Sequence, residues 1–172
     1  MKLLNVFFIT SIGFVSSNAF CGEGMVYFQG SLSSDSCSIN TSDANQEVNL
    51  GSVASATFHS AGDKSEAISF SINMTNCPET MSSTQMKFDG KSDQNNTDLL
   101  AIDSESSAQF VGIGIEESDG TLLPLHMASK TTDIDKNSHS VQMVYQARYI
   151  ATSEAVSPGV ANGVSQFSVN YN

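Results

Sequence analysis

The chain has 172 residues, 18 of them acidic and 7 basic, with a formal net charge of −11. That length bounds one domain of ordinary size. The charge argues against nucleic acid or an anionic membrane surface as a partner, and no basic residue falls between Lys91 and Lys130.

In chain order, the first feature has the form of an export signal. Lys2 is its positive start, residues 3–15 its apolar run, and "SSNAFC" its small-residue end. The run of about 13 residues falls short of the roughly 20 that span a bilayer, so no membrane insertion is expected. Cleavage after Ala19 and cleavage after Cys21 both satisfy the small-residue pattern. The second is preferred: it gives a leader of residues 1–21 and removes the odd one of three cysteines, leaving Cys37 and Cys77. An exported chain with two cysteines is expected to join them.

The first strand is expected over residues 24–32. Val26, Phe28, Gly30 and Leu32 alternate with Tyr27, Gln29 and Ser31, the two-residue period of a strand with one buried face. Glycine weakens a strand, so Gly30 on the apolar side needs a reason. Either it allows a bulge in the chain's own sheet, or the strand inserts into another molecule where one pocket has no room for a side chain. Burying Val26, Phe28 and Leu32 in such a site would contribute roughly 5–8 kcal/mol as an upper estimate.

Further short strands are expected over residues 47–53, 66–75, 84–90, 98–103 and 108–117. The second of these turns Ile68, Phe70, Ile72 and Met74 to one side. "SDG" then predicts a turn into residues 121–127, where Pro124 makes the second arm an edge or ends it early. A long strand is expected over 139–152, with Val141, Met143, Tyr145, Ala147 and Tyr149 on one face. The chain closes on an alternating run that places Phe167, Val169 and Tyr171 together. At most a helical turn is expected, over 104–108. Many short strands joined by polar turns predict an all-β sandwich or barrel.

No catalytic, metal or cofactor constellation emerges. His59, His126 and His139 have no metal-ligand spacing. Residues 133–144 begin like a calcium loop but have Ser138 where glycine is needed and Val144 at the acidic twelfth position. They predict a solvated turn. Asn40, Asn73 and Asn95 begin glycosylation-type triplets in a chain rich in Ser, Asn and Thr, and are read as chance matches.

Taken in order, "VYFQGSLSSDSCSIN", "NLGSV", "FSINMTNC", "TDLLAID", "VGIGI" and "GVANGVSQFSVNYN" carry a resemblance. The chain resembles type 1 fimbrial subunits, the pilins of the chaperone–usher pathway. Gly159, fourteenth from the end, and the penultimate Tyr171 fill the family's C-terminal signature, and the spacing of Cys37 and Cys77 also fits. The resemblance implies an incomplete immunoglobulin-like β-sandwich over residues 34–172 that lacks its final strand. It implies that residues 22–33 are an extension completing a neighbouring subunit by strand addition, with Val26, Phe28, Gly30 and Leu32 as the donor face. Gly159, Phe167, Val169, Tyr171 and Asn172 are then expected at the groove edge and in chaperone contact, with the chaperone's basic residues holding the carboxylate of Asn172. The implied partners are neighbouring fimbrial subunits, a periplasmic chaperone and an outer-membrane usher, on a fimbria at the bacterial surface. An immunoglobulin-like carbohydrate-binding module, soluble or at a fimbrial tip, is the alternative reading.

Overall fold

The computed structural model describes residues 26–29 and 36–172. The chain divides into two compact units, Met1–Ser33 and Ser34–Asn172. In the first, residues 26–29 carry no strand, and Val26 and Phe28 are 76% and 92% exposed. The strand expected there is therefore not formed at those positions. The export signal, its cleavage site, Gly30 and Leu32 lie outside the described residues.

The second unit is nearly all strand and turn. Its elements are β1 (Ser38–Ile39), a single helical turn α1 (Thr41–Ala44), a 3-10 turn (Ser55–Thr57), β2 (Ile68–Thr75) and β3 (Ser83–Asp89). There follow β4 (Leu100–Ala101), β5 (Val111–Glu117), β6 (Thr132–Asp133), β7 (Val141–Ala151) and β8 (Gln166–Tyr171). They form two sheets, ordered β1-β2-β7-β5-β4 and β6-β3-β8, with every pairing antiparallel.

The two-residue period decides what the sheets bury. In the β2–β7 register Phe70 faces Tyr145, Ile72 faces Met143 and Met74 faces Val141, so one apolar face is continuous across both strands. Met86 and Phe88 of β3 approach it from the other sheet, both buried. Phe88 meets Tyr145 edge-on at 5.1 Å between ring centroids and meets Phe70 at 6.1 Å. Cys37 and Cys77 are joined in a disulfide across a sequence separation of 40, bracketing the β1–β2 pairing of Ser38 with Thr75.

Tyr145 is the largest fully buried side chain. Its hydroxyl donates to Ser129 Oγ at 3.1 Å. Burial pushes the phenol up to about 12 from an ordinary 10.0, only partly offset by that bond. The folded state therefore holds this proton more tightly than the unfolded chain. The contribution is intact below pH 10 and lost as pH rises toward about 12, amounting to about 2–3 kcal/mol. Denaturant titrations across that window should show stability falling, and Tyr145→Phe should reduce the slope. Tyr149 and Tyr171, also raised by burial, act in the same direction.

The outer side of the five-stranded sheet holds a fully buried carboxylate. Glu116 Oε1 accepts from Lys64 Nζ at 2.8 Å, and Arg148 Nη2 lies 2.8 Å from Oε2. That second contact is an ion pair without hydrogen-bond alignment, leaving Glu116 Oε2 and Arg148 Nε without a hydrogen-bond partner.

Two expectations are corrected, and a third, the hairpin that Pro124 ends early, is met. Residues 47–53 form no strand, because no neighbour among the described residues offers their main chain a ladder. The helical turns fall at 41–44 and 55–57, not at 104–108. The hairpin after β5 closes through Glu117 N to Thr121 O at 2.8 Å and Leu123 N to Ile115 O at 2.9 Å. Its second arm reaches only an isolated bridge, and the turn from Pro124 to Met127 ends it, so no strand forms over 121–127.

Candidate functional site: an open cleft beside the last strand

β8 is hydrogen-bonded along one edge only. Its register with β3 pairs Phe167 with Phe88, Val169 with Met86 and Tyr171 with Thr84. Its other edge meets no strand among the described residues. Phe167, Val169 and Tyr171, which alternate toward the core, are only half-buried, whereas the matching face of β7 is 1–6% exposed from Val141 to Ala147. The inner face of β8 is thus core surface that is not fully covered.

Facing it across an opening are residues 46–50. Among the described residues their main chain makes no main-chain hydrogen bond; Gln46 is tied only through its side chain, which donates to Ser71 O at 3.2 Å. Between the two edges lies a cleft of about 850 Å³. Phe70, Ile72, Phe88, Ile113 and Ile115 form its floor, Val48 and Leu50 one wall, and residues 163–167 the other. Phe70, on the buried face of β2, is only half-buried because it opens into this space. Two unladdered backbone edges above an apolar floor are a template for one extended strand.

The expected site residues distribute unevenly. Phe167 lines the cleft, and Val169 and Tyr171 continue the same face of β8. The Tyr171 hydroxyl reaches Met74 Sδ at 3.8 Å, and its phenol is raised by burial. Asn172 is tied back to the chain. Its N–H donates to Ser83 O at 3.0 Å, and its main-chain oxygen accepts from Ser82 N at 2.8 Å and Ser82 Oγ at 3.0 Å. Gly159, expected at the groove edge, does not line the cleft. It packs against the 107–108 main chain, where a Cβ would sit 2.5 Å from Ala108 N, so close approach explains the glycine. Sequence reasoning missed Gly163, Val48 and Leu50. A Cβ on Gly163 would lie 2.9 Å from Ile113 Cδ1 and 3.0 Å from Ala101 O. Val48 and Leu50 were visible as an alternating run, but not as one wall of a gap.

The remaining polar groups make turns and surface networks. Asp135 Oδ1 accepts from Asn137 N at 2.8 Å, which makes the calcium-like segment a capped turn; those bonds lower its carboxyl. His139 reaches Cys77 O at 3.3 Å. His126 Nδ1 lies 2.8 Å from Asp89 Oδ1, and its Nε2 lies 3.3 Å from Ser92 Oγ; none of the three lines the cleft. Hydrogen bonds from His126 and Lys87 hold the Asp89 carboxyl below its usual range. Among the described residues no group of three or more His, Cys, Asp or Glu could hold a metal ion.

Comparison with known proteins gives one answer by three routes. The family model described as Fimbrial protein matches residues 26–172. The chain is 35% identical over 156 residues to the fimbrial-like protein FimF of Salmonella typhimurium, covering 91% of this chain and 88% of FimF. It is 32% identical over 171 residues to the probable major fimbrial subunit LpfA of Escherichia coli O157:H7, covering 96% and 95%. Among solved structures, a type I fimbria protein and antigen of Burkholderia pseudomallei superposes with a TM-score of 0.62 at 27% identity, over 78% of this chain and 88% of that one. The P pilus rod subunit PapA superposes with a TM-score of 0.67 at 19% identity, over 79% and 99%.

Proposed function

The chain belongs to the fimbrial protein family, and on that premise we propose that its cleft receives the N-terminal segment of the next subunit. It is a structural subunit of an adhesive fimbria, assembled on the cell surface by way of the periplasm, in a family of structural rather than enzymatic proteins. The fold is the immunoglobulin-like sandwich lacking its last strand, and subunits of this kind polymerise with their neighbours. The finer steps belong to the proposal. Residues 22–33 of one subunit, with Val26, Phe28, Gly30 and Leu32 facing inward, lie between β8 and residues 46–50 of the next. A periplasmic chaperone covers the cleft beforehand, and an outer-membrane usher exchanges one for the other. The observation that carries this reading is the pair of unladdered edges over the floor of Phe70, Ile72 and Phe88.

The test appends a copy of residues 24–32 to the C-terminus by a short linker. The self-filled protein should run as a monomer in gel filtration and melt cooperatively well above the unmodified chain. Gly30→Leu in the appended copy should remove about 1–3 kcal/mol of that gain, because the added side chain overpacks its place. An unmodified domain that already melts as high as the filled one overturns the open-cleft reading. A Leu variant that fills as well as glycine overturns the role given to Gly30.

A further inference from the structure

Asn162 and Gly163 stand at the rim of the cleft, and nowhere else in the chain does glycine follow asparagine. An asparagine carries an electrophile, its side-chain amide carbon, within reach of the next residue's main-chain nitrogen. Attack there closes a five-membered imide. A side chain on the following residue crowds that ring, and glycine has none. The nitrogen must also be free of another hydrogen bond.

The structure separates Asn162 from two other exposed loop asparagines. The nitrogen after Asn137, Ser138 N, donates to Asp135 Oδ1 at 3.4 Å. The nitrogen after Asn95, Asn96 N, donates to Asp93 Oδ1 at 3.1 Å. Gly163 N makes no hydrogen bond among the described residues, and neither does the side-chain amide of the exposed Asn162. The main chain of Asn162 is held in place. Its N donates to Ser106 Oγ at 3.0 Å, and its O accepts from Asp103 N at 2.7 Å. Residues 163–165 make no main-chain ladder bond among the described residues. A fixed electrophile thus precedes a segment whose nitrogen is free to turn toward it.

We propose that Asn162 is a site of spontaneous covalent modification, converting in the empty subunit to isoaspartate. Gly163 N bonds to Asn162 Cγ. The Cγ–Nδ2 bond breaks, and Nδ2 leaves as ammonia with the proton that Gly163 N gives up. Water then opens the imide, its hydroxyl going to one carbonyl carbon and its proton to the nitrogen. Opening at the former main-chain carbonyl leaves the chain running through Cβ and Cγ, one methylene longer. Opening at the other carbonyl gives an ordinary aspartate.

The added methylene falls where space is scarce. Gly163 lines the cleft, and even a Cβ on it would lie 2.9 Å from Ile113 Cδ1 and 3.0 Å from Ala101 O. The wall of residues 163–167 must shift to accommodate it. A strand seated in the cleft would cover this segment and slow ring closure, so subunits left empty would be retired from assembly with time. That consequence rests on the donor-strand reading; the chemistry does not.

The test holds the mature protein, the self-filled protein and Asn162→Gln at mildly alkaline pH for days, then maps isoaspartate by peptide mass spectrometry. In the mature protein Asn162 should convert about tenfold faster than Asn95 and Asn137, because only its following nitrogen is open and uncrowded. Conversion should slow severalfold in the self-filled protein. Asn162→Gln should stay unmodified, since its longer side chain closes a less favourable ring. The aged mature protein should then bind a peptide of residues 24–32 more weakly than the Gln variant aged beside it. An Asn162 that converts no faster than Asn95 and Asn137 overturns the proposal. Equal peptide binding by the two aged proteins overturns the link to the cleft wall, and so do equal rates in filled and unfilled protein. Failure of the fresh proteins to bind the peptide counts against the donor-strand reading instead, while the isoaspartate map still decides the modification.

Discussion

Arg148→Ala is expected to cost the folded domain about 3–5 kcal/mol, the range for removing one partner of a buried ion pair. Glu116 is fully buried, and without Arg148 only Lys64 Nζ at 2.8 Å remains to balance it. The asymmetry of the triad makes the test sharper. The Lys64 and Arg148 side chains are 41% and 20% exposed, against 0% for Glu116. Removing Glu116 releases two cations that water can partly reach. Glu116→Leu, which also fills the space with apolar atoms, should therefore be markedly milder than Arg148→Ala. Urea melts of the three proteins decide it. If Glu116→Leu is the worse of the two, the carboxylate is not the member of the triad that needs compensation.

Replacing both cysteines by serine should cost about 4 kcal/mol. A closed loop with a separation of 40 between Cys37 and Cys77 removes that much chain entropy from the unfolded state. The site adds a local reason. The disulfide abuts a two-residue strand, β1, whose ladder to β2 is only Ser38 with Thr75 and Ile39 with Met74. Ile39 also borders the cleft. Loss of the bond should lower the melting temperature and raise amide exchange first in residues 38–45. A double-serine protein with unchanged stability would mean that β1 is held by its packing alone. A mass spectrum of the native protein would detect the bond and would also read the mature N-terminus, separating cleavage after Ala19 from cleavage after Cys21.

The all-β class, most strand positions and the inward faces were legible in the period of the chain's apolar residues. Val141, Met143, Tyr145 and Ala147 follow a period of two, and all four are buried. The same period continued to predict Tyr149 inward, yet Tyr149 is half-buried while Ile150 and Ala151 are both buried. What changes there is tertiary: Lys64 bridges to Ile150, and Ser65 N donates to Tyr149 O at 2.9 Å, so the 58–65 segment covers the other side of the strand end. Glu116 was likewise invisible as a buried group, because its two cations come from positions 64 and 148 and only the fold brings them together. The cleft shows the division most clearly. Residues 47–53 carry a strand's alternation, but a strand is a pairing, and pairing needs a second edge that the described residues do not supply. Periodicity reports which face of a segment is apolar; whether anything covers that face is decided by what packs against it. Here β8 has β3 on one edge and an open cleft on the other, so its three inward residues, whose alternation alone could equally mark a closed core, remain half-buried.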